Sequence, residues 1–580
     1  MRDAMAGRGA PRHGAPLMSE SVLRLALTVL LVVVLVVLVL LPVGAILGKS
    51  LEDQAGSFIG LANFRAYLGS PSLTRSIGNS LLLGLLTTTI TISLAFLYAY
   101  ALSRSCMPFK PLFRGIGLVP ILSPSLLPAI ALTYLFGNQG LLKDLLGGGS
   151  IYGLAGIVAA QVFYSFPHAL MILITALALS DARLYEAAEI LGASRARMFR
   201  TITLPGARFG LISAIFVVFT IAVTDFGAAK VIGGQFNVLS IDIYKQVIGQ
   251  QNFRMGAVVG VLLLLPALLS FAVDLYVRRR QKSMLGGRAV VLVPEPSRVF
   301  DLAMLVAAGL VALFVVVLLG TAIFASLVKF WPYDLSLSLN NYDFAAYDAA
   351  GWSSYGNSLA MAAWTAMIGT VCAFGGAYLV EKGPGFVLPR ALYRGLAVLP
   401  LAVPGLVLGL GYIFFFNSVS NPLNGVYGGL SILVMSTIAH YYTVPHLMAV
   451  TALKQINDEI EEAAAALGVP FWRTFVRVTL RICVPTVIDI ATYFFLNAMT
   501  TIGAVVFLYA PATKLASVAV VEMDDTGDTA AAAAMAVMIL LTAAAVKILQ
   551  TLLTSVVVGR SQAWRRRDLI DKAEHAPVVA

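Results

Sequence analysis

The sequence predicts an all-α integral membrane protein with about 12 transmembrane helices, arranged as two tandem six-helix domains. Three observations support this prediction: the composition, the spacing of the apolar runs and a set of motifs that occurs twice. Hydrophobic residues make up 59% and charged residues 12% of the 580 positions, and the mean hydropathy is +0.87. Soluble domains carry about 25% charged residues, so this chain cannot cover itself with a water-compatible surface.

Twelve apolar runs define the predicted spans. A helix needs about 20 apolar residues to cross the hydrocarbon of a bilayer, and runs of that length fall into two groups of six. The first group lies at 22–47, 79–102, 115–136, 152–179, 208–229 and 255–277. The second group lies at 302–328, 357–380, 392–416, 429–452, 484–508 and 531–558.

The positive charges set the predicted orientation. The net charge of +11 comes from short basic runs between apolar segments, which favours topology-setting charge over nucleic-acid binding. With the N-terminus inside, RRRQK (Arg278–Lys282) and WRRRD (Trp564–Asp568) are cytoplasmic, and the acidic loops Trp331–Phe344 and Val521–Asp528 lie outside. We therefore predict a multi-pass protein of the lipid membrane with both termini cytoplasmic and no nucleic-acid partner.

The two groups of spans have the same orientation and share motifs, which indicates a parallel duplication. IGNSLLLGLL at 77–86 matches YGNSLAMAAW at 355–364, VPILSP at 119–124 matches LPLAVP at 399–404, and FPHAL at 166–170 matches VPHLM at 444–448. The predicted organisation is a disordered cytoplasmic tail at 1–21, a first domain at 22–277, a basic cytoplasmic linker at 278–300, a second domain at 301–558 and a cytoplasmic tail at 559–580.

Two charged segments between the fourth and fifth span of each half are too polar and too short to cross lipid. They are EAAEILGASRARMFRTITLP (Glu186–Pro205) and EAAAALGVPFWRTFVRVTLR (Glu462–Arg481). Asp181 and Asn457 are suited to cap a helix N-terminus, and a glycine six residues after each motif glutamate is suited to the left-handed turn that ends a helix. Either charged segment taken alone could instead be a helix that rests on anionic lipid headgroups. Two matched copies favour a surface that is bound by a pair of identical cytoplasmic partners.

This pattern resembles the "EAA" coupling loop of permease subunits of ATP-binding-cassette importers, and the resemblance extends over essentially the whole chain. It implies the MetI-like permease fold, the bacterial inner membrane, two ATPase subunits that hold the ATP and Mg²⁺, a periplasmic substrate-binding protein, and no cofactor in this chain. Within the predicted loops, 181–205 and 457–481, the resemblance assigns ATPase coupling to Glu186, Ala187, Ala188, Gly192, Glu462, Ala463, Ala464 and Gly468. The second copy departs from the pattern, because Arg481 stands where the closing proline is expected and Pro485 lies close by.

No motif in the sequence predicts an enzyme. GAILGKS (Gly44–Ser50) has three residues between its glycines, whereas a phosphate-binding loop needs four. His168 and His446 match between the halves, and each has no second metal ligand nearby in sequence, which favours packing or hydrogen bonding over a metal site. An ion-coupled secondary transporter remains the alternative of another class, since such carriers also have six-plus-six parallel repeats.

Four residues are candidates for the translocation path. Asp225 lies near the outer end of the fifth predicted span with Lys230 shortly after it, and ionisable residues at membrane depth are functional candidates. A carboxylate already at the membrane interface is the alternative for Asp225. The second half has Thr501 at the equivalent position, so only the first half carries a charged residue there. Asn79 and Asn357 begin matching spans, where small polar residues either join helices or touch the substrate.

Two loops resemble those of fused permeases assigned to 2-aminoethylphosphonate uptake. The resemblance lies in 225–260 and 329–344, and fused relatives of that group carry ferric iron while more distant ones carry polyamines. This implies a zwitterionic substrate, with its ammonium at Asp225 and its phosphonate at Lys230. Ferric iron and polyamines are the alternatives within the same family.

Overall fold

A computed structural model describes residues 17–53, 55–178, 181–281, 292–383 and 387–561. Two sequence-based predictions fall largely outside these residues, the N-terminal tail and the C-terminal tail, and residues 282–291 of the predicted basic linker also lie outside them. Within the described residues the chain is almost entirely helical, with one short β-hairpin formed by strands Val328–Phe330 and Asp334–Leu337.

Every predicted apolar run carries helix, but the spans are not all straight. Eight helices are long and apolar enough to cross a membrane: Glu20–Ser50, Pro71–Arg104, Leu154–Ala178, Arg195–Thr224, Phe253–Val277, Arg298–Leu327, Trp352–Glu381 and Thr529–Val557. Three further spans are sharply bent helix pairs: Lys110–Leu122 with Leu126–Phe136, Val387–Ala402 with Gly405–Phe416, and Phe471–Ile482 with Val484–Thr500. The tenth predicted run consists of two shorter helices, Leu430–Tyr441 and Thr443–Leu453. We number these twelve segments as spans 1 to 12 in chain order.

Proline accounts for the bends in spans 3 and 9. Pro124 and Pro404 lie between the two helices of each pair, and the helices meet at 103° and 114°. Proline lacks an amide hydrogen and its ring clashes with the preceding turn, so the helix breaks at that point. In both spans a single 3₁₀ turn, Val119–Leu122 or Leu399–Ala402, precedes the break.

Spans 5 and 11 end earlier than the hydropathy predicts, at Thr224 and Thr500 rather than near 229 and 508. The next residue of each span, Asp225 or Thr501, has an extended backbone, with ψ of 134° and 140°. The carbonyl oxygens of these two residues accept hydrogen bonds from serine hydroxyls at 2.8 Å and 2.7 Å. A side chain thus takes the place that the next helical amide would occupy.

The first span of each half packs against both halves. Span 1 packs against spans 8 and 9 as well as span 6, and span 7 packs against spans 2 and 3 as well as span 12. The approach of span 1 to span 9 is close, because a Cβ on Gly411 would lie 2.6 Å from the Pro42 carbonyl oxygen. Glycine at this position allows the two backbones to touch.

The short helices Leu239–Tyr244 and Ala516–Thr526 follow spans 5 and 11 at the end of the molecule opposite the charged segments. Matching serines on spans 2 and 8 hold their first amides: Ser80 accepts from the amide of Leu239, and Ser358 from that of Ala516, both at 2.8 Å. The duplication predicted from the motifs is thus visible in equivalent hydrogen bonds.

Candidate coupling loops and central cavity

The first charged segment folds as a short helix, Ala182–Ile190, that ends in a glycine turn. The Asp181 side chain accepts a hydrogen bond from the amide of Arg183 at 3.2 Å, as predicted for an N-cap. Gly192 has a φ of +70°, and the amide of Ala193 donates to the carbonyl of Ala188 at 2.9 Å. This is the left-handed C-terminal turn that the sequence predicts.

The second charged segment has the same geometry. Its helix is Glu459–Ala466, and the Asn457 side chain accepts from the amide of Glu459 at 3.3 Å. Gly468 has a φ of +67°, and the amide of Val469 donates to the carbonyl of Ala464 at 2.9 Å. Hydrogen bonds at equivalent positions show that the two loops are copies of one structural unit, although the second helix begins one position later, with Asp458 before its first residue. We call 181–205 and 457–481 the coupling loops, and the end of the molecule that carries them the coupling end.

The tips of both coupling loops expose large apolar side chains. Ile190 and Leu191 are 86% and 83% exposed, and Leu467 is 80% exposed. Among the predicted coupling residues, Ala188 and Ala464 are half-buried, and the other six are exposed: Glu186, Ala187, Gly192, Glu462, Ala463 and Gly468. Apolar side chains at a polar tip are typical of a surface that a partner covers.

An aromatic contact ties each loop to the second span of its own half. The Phe199 ring lies 5.6 Å from that of Tyr100, and the Phe475 ring lies 4.6 Å from that of Tyr378. Both phenylalanines belong to the doubled motif, but this contact was not predicted from the sequence. Their partners show the same repeat spacing, and that spacing is the signal that could have found them.

A second pair of contacts closes each loop onto the helix that follows it. In the first loop the hydroxyls of Tyr185 and Thr203 are hydrogen-bonded at 2.8 Å. In the second loop Glu461 takes the position of the tyrosine and accepts from the Thr479 hydroxyl at 3.0 Å. Tyr378 also donates to Glu461, at 3.0 Å. Each loop is therefore fixed at both of its helices.

Basic residues at the ends of spans 2 and 8 complete this support. The Arg104 guanidinium lies 5.2 Å from the centre of the Tyr185 ring and donates to the carbonyl of Leu177 at 2.9 Å. Lys382 pairs with Asp458 and donates to the carbonyl of Ile456 at 2.7 Å. In the sequence, Arg104 and Lys382 are recognisable only as basic residues near the ends of apolar runs.

The two loops differ in how they continue into the next span. In the first half, Arg195–Thr224 is one helix, with a π-helical turn at Phe199–Thr203 just before Pro205. The wider π turn makes room for the proline ring. In the second half the π turn ends at Thr479, well before Pro485, and the chain bends by 81° around Cys483. The loop with Arg481 in place of the closing proline is thus also the loop whose chain takes a different path into the next span.

A central cavity of about 280 Å³ lies between the halves, where spans 5 and 11 end and the bent spans 3 and 9 break. Both halves contribute hydroxyl groups to its wall. The polar lining residues are Ser125, Tyr164, His168, Thr220, Thr224, Asp225, His440, Tyr441, Thr443, Tyr493, Asn497, Thr500 and Thr501. Lys and Arg are absent from this lining within the part of the chain that the structure describes.

Of the four predicted path residues, the structure places only Asp225 in this lining. Lys230 points elsewhere: its Nζ is 2.9 Å from the carboxylate of Asp525, in the other half, and 5.1 Å from the centre of the Tyr244 ring. The structure therefore does not bring Asp225 and Lys230 together in one site. Asn79 and Asn357 lie outside the lining and donate to backbone carbonyls of the segments that precede the two short outer helices, at 2.8 Å and 3.0 Å.

The matching histidines have different surroundings. His168 lines the cavity, with its ring 6.0 Å from that of Tyr164. His446 is buried, 5.3 Å from the ring of Tyr393. Within the described residues, no group of three or more His, Cys, Asp or Glu side chains is arranged to hold a metal ion.

A lysine lies at the end opposite the coupling loops, with two carboxylates around it. The Lys514 Nζ is 2.6 Å from Asp348 and also pairs with Glu522. Burial alone would lower the pKa of Lys514, but the hydrogen bonds and charges of Asp348 and Glu522 outweigh burial and raise the pKa above its usual value. These contacts connect the segment before helix Ala516–Thr526 to the loop before span 8.

The fold and these sites together define a duplicated helical membrane transport protein with paired coupling loops and a cavity between its halves. The sequence matches the family of the binding-protein-dependent transport system inner membrane component, over residues 108–283 and 385–557. These ranges cover more than half of the chain and the same spans of each half. The chain belongs to this family.

Individual relatives agree with this assignment. The ferric transport system permease protein FbpB of Actinobacillus pleuropneumoniae is 27% identical over 490 residues, which are 80% of this chain and 68% of the relative. The putative ferric transport system permease protein FbpB 1 of Haemophilus influenzae is 26% identical over 470 residues, 76% of this chain and 71% of the relative. The thiamine transport system permease protein ThiP of Brucella abortus is 32% identical over 216 residues, 35% of this chain and 38% of the relative.

Solved structures of transporters are also similar in part. The bacterial transporter that imports the acidic polysaccharide alginate has a chain that aligns with 46% of this one and with 98% of its own length. The sequence identity is 16% and the TM-score is 0.39. The same transporter in complex with an alginate-bound periplasmic protein aligns with a TM-score of 0.38.

Proposed function

We propose that this chain is the permease of an ATP-driven importer, and that each of its two coupling loops docks one copy of a separate ATPase subunit. The observation that carries this proposal is the matched geometry of the two loops, which presents one exposed apolar tip twice. ATP and Mg²⁺ would be bound by the ATPase and not by this chain. The segment Gly44–Ser50 supports this assignment of ATP binding to the ATPase. It forms the last turns of a helix and not a loop that could hold phosphate.

Contacts within the coupling end support a lever role for the loops. Each loop is held to the second span of its half through Phe199 or Phe475 and to its own next helix through Thr203 or Thr479. A force applied at the exposed tip therefore reaches the spans directly. Closure of an ATPase dimer around ATP would move the two loops, and with them the two halves, around the cavity.

The opposite end would receive the solute from a periplasmic binding protein, and the distribution of lysine and arginine supports an orientation with that end outside the inner membrane. Both termini are then cytoplasmic. Within the family, the substrate we place first is 2-aminoethylphosphonate, because the loops at 225–260 and 329–344 resemble permeases assigned to it. The relatives whose names specify ferric iron, thiamine or spermidine and putrescine supply the competing substrates.

The proposal is tested with the chain reconstituted in proteoliposomes together with its ATPase and its binding protein. Uptake is expected to require ATP. Leu191→Asp combined with Leu467→Asp should weaken ATPase binding at least about tenfold, because a charge would be buried in the interface. Val419→Asp is the matched control, since Val419 is 98% exposed at the opposite end.

Two results would count against this function. One is uptake driven by an ion gradient with no ATPase present, as the secondary-transporter alternative requires. The other is unchanged ATPase binding in the Leu191 and Leu467 double variant. Calorimetry of the binding protein with 2-aminoethylphosphonate, ferric ion, thiamine and putrescine then identifies the substrate, and a binding protein that ignores the phosphonate would remove it from first place.

A further inference from the structure

We infer that the central cavity is a solute-binding site selective for a positively charged group, with Asp225 as its charge-determining residue. This inference rests on the proposed import function and adds the chemical class of the solute and the residues that hold it. It also departs from the zwitterion arrangement that the sequence suggested, because Lys230 is engaged by Asp525 and does not line the cavity.

The surroundings of Asp225 leave its carboxylate without a cationic partner. One of its oxygens accepts a hydrogen bond from the amide of Ala228 at 3.1 Å. Its other polar neighbours, Ser125 and Gln161, are neutral, and the ion pairs of the described residues do not include Asp225. Asp225 is half-buried, and a partly desolvated carboxylate without a cationic partner is stabilised by a cation that enters the site.

Three tyrosines add to the preference for positive charge. Tyr164 and Tyr441 lie within electrostatic range of the Asp225 carboxylate, and the Tyr441 and Tyr493 rings are 6.4 Å apart. The face of an aromatic ring attracts cations, and a phenol oxygen is a hard ligand suited to a hard metal ion. Both kinds of cation, an organic ammonium and a bare metal ion, are therefore compatible with the same wall.

The two histidines of the wall do not balance this charge. His168 lies beside the Tyr164 ring, and the His440 ring is 4.5 Å from that of Tyr441. The Nδ1 atoms of both are buried without a hydrogen-bond partner among the described residues, which disfavours the charged imidazolium. A volume of about 280 Å³ is at the small end for ligand pockets, so the solute is compact.

The duplication supplies a sharp test, because Thr501 occupies in the second half the position that Asp225 occupies in the first, and both line the cavity. Asp225→Thr should lower uptake by the reconstituted importer at least about tenfold, the usual scale for losing a charged hydrogen bond. Adding Thr501→Asp returns a carboxylate to the cavity from the opposite wall and should restore most of the uptake. If Asp225 served only to accept the hydrogen bond from the Ala228 amide, Thr501→Asp would not restore uptake.

Further variants separate charge from shape and one cation from another. Asp225→Asn keeps an oxygen for the Ala228 amide and should still lower uptake about tenfold. Tyr164, Tyr441 and Tyr493 changed together to Phe keep the ring faces and remove the oxygens. Putrescine or 2-aminoethylphosphonate uptake should then persist, and uptake of ferric ion should be lost.

The inference is overturned if the solute identified by calorimetry is an anion without a positive group. It is also overturned if Asp225→Asn imports at the wild-type rate, or if Thr501→Asp fails to rescue Asp225→Thr. The cavity variants should retain ATPase binding at the coupling end. Loss of ATP dependence in the wild type would instead be a failure of the proposed function, and calorimetry of the chain in nanodiscs with putrescine would still test Asp225.

Discussion

The glycines that end the two coupling helices make a prediction about backbone conformation alone. Gly192 and Gly468 have φ values of +70° and +67°, and a Cβ built on either would meet no atom within 4 Å. A side chain there causes no clash, so its effect comes from the left-handed conformation. That conformation costs an L-residue about 1–2 kcal/mol, more if the residue is β-branched, whereas Asn adopts it readily.

We therefore expect valine and asparagine to differ strongly at these positions. With both glycines changed to Val, the two costs sum to about 2–4 kcal/mol, which corresponds to a loss of roughly 30-fold to 1,000-fold in correctly capped loops. The double Asn variant should stay within about threefold of the wild type. The assays are binding of the ATPase to the chain in nanodiscs and ATP-driven uptake in proteoliposomes.

Comparing the Val and Asn double variants tests whether the left-handed backbone conformation is the cause of the loss. Equal losses for Val and Asn would mean that the ATPase groove rejects any side chain at the tip, and that backbone conformation is not the cause. Normal coupling in the Val variant would mean that the turn is not needed for docking. Thermal unfolding of both variants checks that the twelve spans remain folded.

Three further predictions follow from individual contacts. Phe475→Ala should lower the free energy of unfolding by at least about 1 kcal/mol and reduce uptake per ATP, while ATPase binding is retained and Phe475→Tyr behaves as wild type. A double-mutant cycle on Lys230 and Asp525 should give a coupling energy of about 0.2–1 kcal/mol that shrinks in high salt, because the pair is partly exposed; a coupling energy that ignores salt would contradict this. The pKa of Lys514 is raised on folding, so its contribution to stability is complete below the unfolded pKa near 10.4 and is lost as pH rises through the higher folded value. The difference in melting temperature between wild type and Lys514→Gln should therefore be constant from pH 8 to about pH 10 and shrink above it, and a difference that grows at alkaline pH would refute the assignment.

The sequence predicted the features that depend on local chemistry. Apolar run length predicts a spanning helix wherever it occurs, and the Asp181 cap and the Gly192 turn are determined by residues within a few positions of each other. For this reason the all-α fold and the shape of the coupling loops could be predicted. The break in span 3 has a local cause of the same kind, Pro124, although its 103° angle depends on what packs around it.

The cavity and its charge could not be predicted in the same way, because they depend on contacts between distant segments. Lys230 follows Asp225 closely in sequence and was expected to share a site with it. The extended backbone at Asp225 redirects the chain, and Lys230 meets Asp525 from the other half instead. The supports of the coupling loops, such as Arg104 and Lys382, were visible in sequence only as basic residues at matching positions.

Because each first span packs partly against the opposite half, neither half buries all of its contact surfaces by itself. Arg24 of span 1 lies 4.4 Å from the ring of Phe471 in the second coupling loop, and Phe300 of span 7 lies 5.7 Å from the Arg195 guanidinium in the first. Displacing either loop therefore disturbs a helix that belongs to the opposite half. Two fragments produced by cutting between residues 281 and 292 should remain associated. A half expressed alone should expose the face of its first span that normally packs against the other half.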